Sequence, residues 1–326
     1  MKSLDFKIKK NKFYKKLKKV FCKLVVFLQI PKIFEYFSSN YVTIINYHDP
    51  NVFAFSAHIE FLVKEYNLIS MSTLVSAIKD GNVDKLPKKS LVLTFDDGHI
   101  GNKELFPTIA RHKIPCLIYI VSGIFDTNKK FWWKAPGLTS LEVACLKKMS
   151  EQEKNAWLLK QKEFNVDQEF ETNSSLSLDD VRAFIELGGE IGSHTVSHPI
   201  LTSCKPDVVH REIFYSKFML EEKLGFEVKH FCFPNGSYEE SNLEMVKDAG
   251  YISARTTNPG WVGPHTSTFC LPTMGISDDA SLDKLILQVT GVWGYLIVLS
   301  EGIKSLIQKV SLLIKFFLTT RTPPNG

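Results

Sequence analysis

The chain has 326 residues, 44% hydrophobic and 12% aromatic, which is enough to bury a sizeable core and excludes a disordered protein. Its formal net charge of +5 is uneven: eleven lysines lie between Lys2 and Lys32, with only Asp5 and Glu35 near them, and the remainder is slightly acidic. A basic arm on an acidic body argues against a nucleic-acid-binding core.

Residues 1–40 read as a basic amphipathic segment. Val20 to Ile30 is apolar and follows lysines, as a leader would, but it carries Lys23, meets Pro31 and lacks a small-residue cleavage site. It is also shorter than the ~20 apolar residues of a membrane span. The two readings are a helix lying on an anionic membrane surface and a helix packed on the body.

Beyond it, short apolar runs alternate with helical periodicity. Strands are predicted at Tyr41–Tyr47, Leu91–Phe95, Pro115–Val121, Glu190–Ser193, His230–Phe233 and Tyr251–Thr256. Helices are predicted at His58–Tyr66, Ser72–Lys79, Phe106–His112, Asp179–Leu187, Asp207–Leu224 and Asn242–Ala249. Between about 127 and 177 the pattern becomes lysine-, glutamate- and glutamine-rich helix with a Trp132-Trp133 pair, which reads as an insertion over the core. The segment 277–326 is an apolar extension whose runs Leu285–Val289, Val292–Leu299 and Leu306–Leu318 are interrupted by Gly291, Gly294, Glu301 and Lys304. These read as amphipathic helices rather than a spanning segment. The alternation predicts an α/β fold with a parallel sheet, whose chemistry gathers at the C-terminal strand ends.

Two motifs fall at such ends. Leu91-Val92-Leu93-Thr94-Phe95 stops on Asp96-Asp97-Gly98, and adjacent buried carboxylates repel unless a cation or shared proton compensates. About a hundred residues later Ile191-Gly192-Ser193 runs into His194-Thr195-Val196-Ser197-His198. Carboxylate oxygen and imidazole nitrogen together suit a divalent transition metal, and three such ligands leave positions open for water and substrate.

At these residues the chain resembles the polysaccharide deacetylase family, carbohydrate esterase family 4, with its NodB-like domain. The resemblance covers roughly Tyr41 to Ile276 (domain 41–276), with weaker matches at Ile45-Asn46-Tyr47-His48 and Phe231-Cys232-Phe233-Pro234-Asn235-Gly236. It implies a distorted (β/α) barrel, here with a helical insertion and helical N- and C-terminal extensions. It also implies removal of N-acetyl groups from an amino-sugar polysaccharide or glycolipid. By position, Asp96 is then the general base, and Asp97, His194 and His198 hold the metal: zinc first, with cobalt, nickel or manganese as alternatives. The backbone amide of Asn235 faces the oxyanion. Pro234, Trp261, His48 and His99 are candidate substrate contacts, and Trp132 and Trp133 could stack on sugar rings.

Two departures stand out. The arginine that often braces the base aspartate is missing from Phe231-Cys232-Phe233, and the C-terminal Leu-x-His source of the general acid has no counterpart, since His265 is the last histidine. His48, His99 and His265 are candidate replacements. An O-acetyl esterase and a non-catalytic carbohydrate-binding or membrane-associated relic remain alternatives. Six scattered cysteines without a Cys-x-x-Cys pair favour a reducing, cytoplasmic setting, or the cytoplasmic face of a membrane, with export left open. The lysine-rich start and apolar tail together predict a peripheral protein that high salt removes from anionic membranes.

Overall fold

The computed structural model describes residues 16–299; the tail run Leu306–Leu318 and the lysines before Lys16 lie outside them. Eight strands form one parallel, curled sheet: β1 Thr43–Tyr47, β2 Asn67–Leu68, β3 Ser90–Phe95, β4 Cys116–Ile120, β5 Glu190–Ser193, β6 His230–Cys232, β7 Ser253–Arg255 and β8 Met274–Gly275. The order is β7-β6-β5-β4-β3-β1-β8, with β2 beside the start of β3. A bridge between Arg255 and Leu271 ties β7 to the segment entering β8 and curls the sheet towards closure. The parallel α/β sheet is the one the alternation predicted, and it curls into the distorted (β/α) barrel that the resemblance implied.

The central strands are buried along their whole length, which is why they read as apolar runs rather than alternating patterns. Side chains still alternate between faces. Ile45, Tyr47, Leu93 and Phe95 pack outwards on the surrounding helices, whereas Ile44, Val92, Leu117 and Tyr119 pack with Met71, Leu74 and Val75 of the helix Met71–Lys79.

Three elements differ from expectation. The first core helix runs Val52–Glu65, starting six residues before the expected His58, because Asn51 caps it by accepting from the amides of Phe53 and Ala54. The predicted Asp207–Leu224 helix is broken in character: Pro206–His210 passes through a π-helical turn, Arg211–Tyr215, into Ser216–Leu224. The insertion is not one long helix but two short ones, Ser140–Leu146 and Glu151–Lys162, each opened by a capping box. They enclose a separate small core of Trp132, Ala135, Leu146, Leu158 and Phe164.

Gly192 in β5 is fixed by its surroundings. A Cβ there would lie 2.5 Å from the Tyr119 ring and 2.9 Å from the His230 carbonyl oxygen. Gly192→Ala is expected to destabilise the protein by about 1–3 kcal/mol, the usual range for overpacking. Urea unfolding followed by circular dichroism measures it; an unchanged midpoint would show slack between β4, β5 and β6.

Candidate metal centre and active site

β3 ends on the two acids. Asp97 and Gly98 both take left-handed backbone angles (φ 72° and 72°), which turn the chain sharply and point neighbouring carboxylates in different directions. For Asp97 that conformation is strained, and such strain concentrates at functional sites. Thr195 (φ 67°) and His198 (φ 59°) repeat it in the loop after β5. Asp97 Oδ1 then lies 3.6 Å from His194 Nε2 and 3.5 Å from His198 Nε2, and it is buried without a hydrogen-bond partner. One donor atom from each residue fits within a 4.8 Å cluster. His194 Nδ1 is 2.8 Å from the carbonyl oxygen of Cys232, so it must carry the proton and leave the Nε2 lone pair facing the cluster. Burial holds His194 below the ordinary imidazole range; burial and then the neighbouring His194 hold His198 at about 3. Neutral imidazoles and an ionised Asp97 are what a metal requires. Asp96, His194 and Cys232 also lie close together, but Asp96 and the Cys232 sulfur are already engaged by Arg255. The residues Asp97, His194 and His198 therefore fit a divalent ion better.

Asp96 is bound differently. Its Oδ1 accepts from Arg255 Nη2 and its Oδ2 from Asn46 Nδ2 at 3.2 Å. Burial is the largest influence on this carboxyl and favours the protonated form, but Arg255, His194 and His48 together outweigh it and hold it below the usual carboxylate range. Arg255 is 0% exposed, stands on β7 directly opposite Cys232 in the β6–β7 register, and lies 5.1 Å over the Tyr119 ring. The brace expected on the Phe231–Phe233 strand is thus present one strand further on. Only the sheet register reveals it; Ser253-Ala254-Arg255 carries no motif.

The remaining candidates separate clearly. Asn235 (φ 53°) sits on the turn after β6 and lines the same cavity of about 640 Å³ as Asp96, Asp97, His194 and His198. Its side-chain oxygen accepts from Lys147 Nζ at 2.8 Å and its carbonyl from Thr257 Oγ1 at 2.9 Å, which fixes the turn. Pro234 is buried beneath that turn and shapes it rather than facing a substrate. His48 does line the cavity, half exposed, with Nε2 3.9 Å from Asp96 Oδ2; its amide donates to Asp278 and its carbonyl accepts from Asn102. His99 does not: bridged to Ser175, it is buried, lies tilted against Phe131 with ring centroids 4.6 Å apart, and approaches Asp97 Oδ2 through Nε2 at 3.1 Å, steering the carboxylate. Trp261 is elsewhere, in a separate apolar cavity with Phe34, Phe37, Tyr41 and Tyr295, because the chain there pairs with Val42 before β1 begins. His265 is exposed and outside the cavity. Of the tryptophans, Trp132 is core and Trp133 lines the cavity, 4.8 Å from the His198 ring.

Glu212 has no sequence signal. The π-helical turn carries it, fully buried, under the histidine loop, where it accepts from the amides of Val196 (2.8 Å) and Ser197 (2.9 Å) and from the Ser197 hydroxyl (2.9 Å). Glu212→Ala leaves three part-buried donors without this partner beside His198. It is expected to weaken metal affinity on the order of 10–100-fold, as loss of outer-shell partners does. Competition against a chromophoric chelator measures this, and an unchanged affinity would mean the loop is held otherwise.

A family profile described as Polysaccharide deacetylase matches residues 83–254, a span that includes both acids and both histidines and stops one residue short of Arg255. No curated protein matches. Among solved structures, IcaB from Ammonifex degensii superposes with a TM-score of 0.57 at 15% identity over 77% of this chain and 97% of its own. The Streptococcus pyogenes deacetylase PplD in complex with acetate gives 0.56 at 19% over 76% and 98%. A de-N-acetylase from Aggregatibacter actinomycetemcomitans gives 0.52 at 14% over 74% and 96%. At these identities the superpositions establish a shared fold, and the profile spanning more than half of the chain establishes kinship: the protein belongs to the polysaccharide deacetylase family.

Proposed function

We propose that the protein is a metal-dependent hydrolase that removes N-acetyl groups from an amino-sugar polysaccharide or glycolipid. The observation that carries this reading is the division of labour between adjacent carboxylates. Asp97 joins two neutral imidazoles, while Asp96 faces the same cavity ionised and braced by Arg255. A divalent ion held by Asp97, His194 and His198, zinc first, would polarise the acetyl carbonyl and acidify a water.

The other roles fall to groups of the chain itself. Asp96 accepts the proton of the attacking water, and its low proton affinity keeps it ready at neutral pH. The Asn235 amide, which makes no hydrogen bond among the described residues, is placed to donate to the developing oxyanion. His48, across from the metal ligands and beside Asp96, is the group placed to protonate the leaving nitrogen as the carbon–nitrogen bond breaks to acetate and free amine. Trp133, Leu138 and Val143 supply apolar wall for a pyranose face or the acetyl methyl.

An O-acetyl esterase is the second reading, since one tetrahedral intermediate serves both bonds. An acid within the cavity favours the amide, because an alkoxide leaves with less help than an amide nitrogen. Acetate release from N-acetylglucosamine oligomers is expected to need metal, to stop on chelation and to return on adding zinc. Asp96→Asn is expected to lower it on the order of a hundredfold or more. Activity that survives chelation, or an Asp96→Asn enzyme at full rate, overturns the mechanism.

His48 separates the two bond types. His48→Gln is expected to cut N-acetyl hydrolysis roughly a hundredfold, within the range for a general acid, and to affect release from matched O-acetyl sugars far less. Equal losses on both substrates would remove His48 from the acid role.

A further inference from the structure

The first described helix, residues 16–27, has two apolar faces, and among the described residues only one is covered. Cys22 and Val25 are buried against Leu287 and Val292, with Lys18 Nζ 4.7 Å over the Trp293 ring. The other face presents Leu17, Val20, Phe21, Leu24, Phe27 and Leu28, spaced i, i+3, i+4, i+7, i+10 and i+11 and between 43% and 78% exposed. At 3.6 residues per turn these align into one continuous stripe. The following helix Ile30–Ser38 extends it with Ile33, Tyr36 and Phe37 (57–78% exposed), and Tyr295 and Val298 of helix 292–299 add to it. Solvent-facing apolar surface on this scale marks an interaction site.

Its charge says with what. Lys16, Lys19 and Lys23 share one flank of the stripe, Lys32 follows, and no acid occurs from residue 16 to residue 34. A second copy of the chain would bring the same cations to the same rim, whereas an anionic lipid surface matches both the apolar stripe and its basic border. Among the described residues no single helix is long and apolar enough to cross a membrane. The bent pair Leu282–Val289 and Val292–Leu299, at 83°, passes by length and composition together, but Leu285, Leu287 and Val289 are core.

We propose that this face docks the protein on the surface of an anionic bilayer, with the stripe in the headgroup region and the lysines among the lipid charges. The geometry then sets an orientation. The docking face lies towards the N-terminal ends of the strands, since Tyr41 lies two residues before β1 and Glu35 pairs with Lys89 just before β3. The metal cavity opens at the opposite ends. The docked protein therefore turns its cavity away from the lipid, which, if the deacetylase reading holds, favours a glycan strand reaching off the surface over a headgroup-proximal sugar.

The full-length protein is sedimented with vesicles of phosphatidylcholine alone and of phosphatidylcholine mixed with phosphatidylglycerol, at low and high salt. Binding is expected to be at least tenfold tighter to the mixed vesicles and to fall at high salt. The Leu24→Asp/Phe27→Asp protein and the Lys16→Gln/Lys19→Gln/Lys23→Gln protein are each expected to lose it. Their thermal melts and their hydrolysis of a short soluble acetylated oligosaccharide should match the parent, because none of these residues reaches the cavity. If the double aspartate protein fails to fold, Phe27→Ser replaces it. No binding to either vesicle overturns the proposal. So does binding that is equal on both vesicles and untouched by the lysine substitutions, or a lipid-independent dimer that Leu24→Asp dissociates. These readouts are independent of catalysis, so an inactive but lipid-binding protein would refute the function and leave the docking face standing.

Discussion

Everything at this site follows from placing two carboxylates side by side at the end of a buried strand. Left alone they would repel, and burial would push at least one to its protonated form. The fold instead gives each its own set of partners. Asp96 receives a guanidinium that is itself wholly buried and stacked on Tyr119, and Asp97 is turned by its left-handed backbone towards two imidazoles. A buried charge is tolerable only when paired and hydrogen-bonded, so neither acid can change partners without disturbing the other. This separation gives chemically identical neighbours different tasks.

Much of this was legible beforehand because the signals were local. Apolar runs of strand length ending on Asp96-Asp97 and on His194…His198 place both pairs at strand ends by periodicity alone. Arg255 was not legible, because its partnership with Asp96 spans 159 residues and exists only through the β6–β7 register. Glu212 was hidden for a related reason: within an otherwise ordinary helical pattern, one π-helical turn rotates it inwards beneath the histidine loop. Trp261 misled in the opposite sense. Its flat ring made it a candidate substrate contact, but pairing of Val262 with Val42 carries it to the far ends of the strands.

The insertion explains why the site cannot be read from the barrel alone. It folds around its own small core, yet it delivers Trp133, Val143 and Lys147 to the rim of the metal cavity. Lys147 grips the Asn235 side chain, so the insertion also braces the turn that carries Asn235 into the cavity. Part of the cavity wall and the carboxylate–histidine cluster are thereby carried on separately packed units.

The position of Arg255 also bears on how the protein fails. β7 has three residues and is held on one side by the equally short β6 and on the other by backbone hydrogen bonds to Thr268 and Leu271 rather than by a full strand. Sheet margins open locally at lower free energy than central strands. A brief fraying of that margin would withdraw the guanidinium from Asp96 while β3, β4 and the metal ligands stayed in place. The ionised state of Asp96 on heating thus depends on one three-residue strand at the sheet margin as well as on the integrity of the barrel.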